Sequence, residues 1–145
     1  AASDVYKRQV LDAHPEWRSE RTLLVHFDRV GGGSLHILEA EGALVRCEHP
    51  PRLRELARRL SEGGVMAEVT PADFAGETDA GVALRRGLHV LALMALDADG
   101  VPHADHARDD LATGLDMETV VRAADFGAAV VVAAWRGEAD PLAIV

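Results

Sequence analysis

Alternating buried strands and amphipathic helices predict an α/β fold for this chain, and three stretches carry the prediction. Thr22 to Phe27 and Leu88 to Leu96 are short apolar runs bounded by charge and glycine, the pattern of strands covered on both faces. Pro51 to Glu62 sets Leu53, Leu56, Ala57 and Leu60 at helical spacing and stops at Gly63-Gly64.

The other elements follow in order. Val10 to Arg18 reads as the end of a helix that breaks at Pro15. After the strand at Thr22, Gly31-Gly32-Gly33 permits a sharp turn, and Ser34 to Leu38 and Ala43 to Cys47 read as short strands around a Glu41-Gly42 turn. Beyond the helix, Val65 to Val69 is expected as a strand, Thr70 to Thr78 as a loop and Ala80 to Arg86 as a short helix. A polar loop, Asp97 to Asp110, separates the second buried strand from a long closing helix, Met117 to about Ala134. Asp116 caps that helix, and Glu118 favours its positive end. Neither an internal repeat nor a low-complexity tract interrupts the chain.

The first nine residues, AASDVYKRQ, look like an in-frame translation of a transposon-based sequencing adapter fused to a reading frame that begins near Val10. The expected organisation is therefore a non-native segment over 1–9 and one domain, or a large piece of one, over 10–145. The apolar run Pro141 to Val145 carries no terminating signal, so a second truncation at that end is also open.

A formal charge of −9 argues against a nucleic-acid surface, which needs clustered Lys and Arg. Arg52 to Arg59 is balanced by Glu55 and flanked by acids. The single cysteine, Cys47, has no internal disulfide partner and reads as a small core residue. No apolar run approaches the roughly 20 residues of a membrane span, so no membrane contact is expected. The triple glycine lacks a following Gly-Lys-Ser/Thr and precedes a strand, which argues against a phosphate loop. Ser34 lacks the Gly-x-Ser-x-Gly setting of a nucleophile elbow.

Two segments carry chemistry. His26-Phe27-Asp28-Arg29-Val30-Gly31 closes an apolar strand, and His106-Ala107-Arg108-Asp109-Asp110 follows the second strand. An Asp at a strand end and a His in a loop each offer a first-row metal one ligand, and neither holds a metal alone. In α/β sheets chemistry collects at the carboxyl ends of strands, where both segments fall. Taken singly, Asp28 also reads as a turn-forming residue before glycines, and His106 as a solvated loop histidine beside His103.

Their order resembles the C-terminal half of the M28 family of zinc aminopeptidases. The matching segments are His26 to Gly31, Thr78-Asp79-Ala80, Gly87-Leu88-His89, His106 to Asp110 and Gly114-Leu115-Asp116, followed by the long helix. They span nearly everything from Val10 to about Ala134. The resemblance implies a three-layer sandwich whose mixed, mostly parallel sheet is flanked by helices, a zinc-exopeptidase-like fold truncated at its N-terminus. It implies two zinc ions, with Asp28 a ligand of one and His106 a ligand of the other, and a peptide as substrate. The remaining ligands and the general base come, in the family, from segments upstream of the matched region, so no catalytic residue is assigned here and the fragment alone is not expected to turn over.

Within the resemblance, Asp110 would orient His106 through its second ring nitrogen. Asp79 is read either as a group beside the metals or substrate pocket, or as the cap of the following helix. His103 is the alternative imidazole ligand, though His106 has the family spacing to Asp110. His26 stands where Asn is common and Arg29 where an apolar residue is usual. The readings that follow are a two-zinc aminopeptidase represented by its C-terminal part, an inactive peptidase-like receptor or scaffold domain, and an unrelated α/β binding domain. Recovering the upstream sequence would separate all three.

Overall fold

The computed structural model describes residues 2–17, 22–64, 69–102 and 112–137. The elements are helix α1 (Ala2–Ala13), strands β1 (Leu23–Asp28), β2 (Ser34–Glu41) and β3 (Cys47–Glu48), helix α2 (Pro51–Glu62), strand β4 (Thr70–Phe74), helix α3 (Ala80–Leu84), strand β5 (His89–Leu96) and helix α4 (Met117–Trp135). The fold is α/β, as expected, around an open mixed sheet.

Strand β5 is the centre of the sheet, with β1 parallel to it on one side and β2 antiparallel on the other. The far side of β2 takes β4 in parallel, and the short β3 pairs antiparallel with the end of β2. The sheet is therefore not mostly parallel, and the physical reason lies between Asp28 and Ser34. A parallel neighbour needs a crossover of a dozen or more residues, whereas β2 follows β1 after five, Arg29 to Gly33. The chain reverses, and β5 later inserts between the two opposed strands.

Gly33 makes that reversal, at φ +88°. A Cβ there would sit 2.5 Å from the Leu96 carbonyl oxygen and 2.8 Å from its carbon. Both the backbone conformation and the space require glycine. Gly33→Ala is expected to cost on the order of 1–3 kcal/mol, seen as a lower melting temperature with an unchanged far-ultraviolet circular dichroism spectrum.

Helices lie on both faces. On one face α2 and α4 bury Leu53, Leu56, Phe126 and Val130 against Ile37, Leu91 and Leu93. On the other, α3 packs Ala80 and Ala83 against Val90, Ala92, Met94 and Leu96, and Leu11 of α1 leans on the same cluster. Successive side chains of β5 point to opposite faces, so its unbroken apolar run feeds both cores. Helix α1 runs through the expected junction at Gln9 and Val10 and ends at Ala13, just before Pro15.

The middle of the chain departs from expectation in two places. Ala43 to Cys47 is no strand: Gly42 takes φ +130°, residues 43–46 loop outward with Leu44 and Val45 exposed, and pairing resumes only at Cys47. Strand β4 begins at Thr70, inside the segment read as loop, and the expected strand Val65 to Val69 lies outside the described residues except for Val69. Pro71 made Thr70 to Phe74 look like a loop. Strand β4 bonds only to β2 among the described residues, and an edge strand tolerates the missing N–H of proline. The predicted helices fall where expected, α2 with the predicted bounds and α3 ending two residues early. Among the described residues no helix is long and apolar enough to cross a membrane.

Candidate metal-site edge

Asp28 closes β1 directly opposite Met94 of the parallel β5, so the carboxyl ends of both strands share one edge. Two residues further, β5 ends and the polar loop opens on Asp97, whose carboxylate accepts from the amides of Asp99 (3.0 Å) and Val101 (3.2 Å). The same loop returns beside β1. The amide of Asp116 donates to the Gly31 carbonyl at 2.7 Å, and the Leu115 side chain lies where a Cβ on Gly31 would stand. Both anchors of the segment that carries His106 thus sit at the strand end that carries Asp28. His106, His103 and Asp110 themselves lie outside the described residues.

The chain leaves β1 abruptly because Arg29 adopts φ +50°, an uncommon conformation for a residue with a side chain. His26 and Asp28, two apart on one strand, point to the same face, with imidazole Nε2 3.9 Å from carboxylate Oδ2. The Arg29 guanidinium is 3.5 Å from the same oxygen. His26 most strongly, then Arg29 and the more distant Lys7, hold the Asp28 carboxyl below its ordinary value, against a partial burial that pushes it up. Asp28 is ionised at neutral pH, the state a metal ligand needs.

Asp79 does not cap α3 with its side chain; the Thr78 hydroxyl accepts from the Ala80 amide instead, at 3.1 Å. The Asp79 carboxylate pairs with the Lys7 ammonium. Lys7 therefore touches one predicted site residue, Asp79, and acts electrostatically on another, Asp28. Among the described residues no three His, Cys, Asp or Glu side chains gather as a metal would require.

Sequence reasoning missed the most deeply buried polar group. Glu41 and His49 are 2% and 0% exposed, and His49 Nε2 lies 3.6 Å from Glu41 Oε1. The other imidazole nitrogen, Nδ1, is 3.1 Å from the Val90 carbonyl oxygen, which can only accept, so Nδ1 carries a hydrogen. Glu41 Oε2 accepts from the Thr78 amide at 2.6 Å. Burial pushes the Glu41 carboxyl up, but Thr78 and the facing His49 ring bring it below its ordinary value. The buried carboxylate thus has the Thr78 amide on one oxygen and the His49 ring facing the other. Nothing in the sequence marks it: Glu41 reads as half of a turn dipeptide, and His49 precedes two prolines with no pattern around it.

No family model, curated protein or solved structure matches this chain.

Proposed function

We infer that the chain is the C-terminal part of an M28-like two-zinc aminopeptidase domain, in which Asp28 and His106 are metal ligands and the general base belongs to an upstream segment. One observation carries the reading: the loop bearing His106 leaves and rejoins the sheet at the strand end occupied by ionised Asp28. Zinc, when bound, supplies Lewis acidity and an acidified water. Asp28 would hold its metal through a carboxylate oriented by the rigid pairing of β1 with β5. Asp110 would brace the His106 ring, and Asp79 would lie at the rim facing the peptide. Strand β1 also supports a continuing sheet, because it is apolar, only half-buried and paired on one side alone among the described residues.

The alternative, an inactive peptidase-like scaffold, has its own observation: the Arg29 guanidinium already faces the Asp28 carboxylate without a metal. Asp28→Asn separates the two. In the reading frame extended upstream, the peptidase reading expects the variant to lose zinc and at least about 100-fold in hydrolysis of an aminoacyl amide, beyond the effect of groups that only brace a ligand. An extended chain that binds no zinc would leave the scaffold reading in its place.

A further inference from the structure

Helix α4 carries two apolar faces, and the sheet uses only one. Thr119, Ala123, Phe126, Gly127, Val130 and Ala133 are buried against the sheet. A second set, Met117, Val121, Ala124, Ala128, Val131 and Trp135, is exposed along the helix. Its steps alternate four and three, which at 3.6 residues per turn gathers all six within about 80° of arc, the seam of a helix pair. Met117 is 58% exposed and Trp135 90%. Charged side chains flank this seam without breaking it: Glu118 and Arg122 pair with each other at 3.4 Å.

We propose that this face is a self-association surface on which α4 of a second copy packs antiparallel. Two features select that occupant. The seam is self-complementary in shape: small Ala124 and Ala128 fall at its centre, where two helices cross and must approach, while Met117 and Val121 at one end meet Trp135 and Val131 at the other. The charges within the helix favour opposition, since Asp116 at its N-terminal end then faces Arg136 at the C-terminal end of the other copy. Antiparallel packing sets acid against base and opposes the helix dipoles, whereas parallel packing stacks Glu118 on Glu118. Trp135 is the type of residue that dominates such contacts. The surface does not depend on the peptidase reading.

Sedimentation equilibrium of the whole chain from micromolar to millimolar concentration tests the proposal. A monomer–dimer equilibrium is expected, weakened at least about tenfold by Ala128→Glu or Trp135→Ala. Both positions are exposed, so the melting temperature extrapolated to infinite dilution should hold. In a Cys47→Ser background, Val121→Cys mixed with Val131→Cys should form a crossed disulfide, and Val121→Cys alone should not. A monomer at every concentration, including one whose Trp135 emission is blue-shifted because the chain itself covers the seam, would overturn the proposal. So would a dimer indifferent to Ala128→Glu, or self-linking of Val121→Cys.

Discussion

His49→Ala should be among the most destabilising single substitutions in this chain, by about 2–5 kcal/mol, because it opens a cavity in the core and strips the buried Glu41 carboxylate of the ring that faces it. The Val90 carbonyl loses its donor in the same change. The penalty should depend on pH. The Glu41 carboxyl titrates lower in the folded chain than in the unfolded one, where it is near 4.5, so its stabilising contribution is present above that value and is lost as pH falls through the folded one. In the variant, acid neutralises the stranded carboxylate, so the deficit relative to the parent should be largest near neutrality and shrink below about 4.5. Denaturant unfolding at several pH values measures this. Replacing both residues by Leu should recover much of the loss, since apolar packing often substitutes for a buried pair. A His49→Ala deficit under about 1 kcal/mol, or one independent of pH, would mean that the Glu41 carboxylate does not depend on His49.

The buried Glu41–His49 contact also marks where sequence reasoning ran out. Helices were legible wherever one periodic face met one stop signal, as in Pro51 to Glu62, and central β5 was legible because a strand covered on both faces has no polar residue to blur it. Edge strand β4 was not, since half its surface meets solvent and its Pro71 mimics a loop. The direction of β2 was present in the five-residue connection but was outweighed by the resemblance, which implies a mostly parallel sheet. For the candidate site, Asp28 could be placed at a strand end from its apolar run alone. The turn at Arg29 and the pairing of Asp79 with Lys7 could not, because a left-handed conformation at a non-glycine residue and a contact across 72 positions leave no local pattern.

In the peptidase reading, the larger functional effect belongs to His106, the one imidazole this part of the chain gives to a metal. Zinc content of the upstream-extended chain, measured together with hydrolysis of an aminoacyl chromogenic amide, should fall sharply in His106→Ala, with activity down by at least about 100-fold. His103→Ala should leave both nearly intact, because only His106 has the spacing that lets Asp110 brace the ring. That paired comparison is the most direct test of whether the loop anchored at Asp97 and Gly31 completes a metal site with Asp28. The account predicts loss of zinc and activity together in His106→Ala alone. Full zinc and activity in His106→Ala would contradict it, and loss in His103→Ala instead would move the ligand three residues upstream.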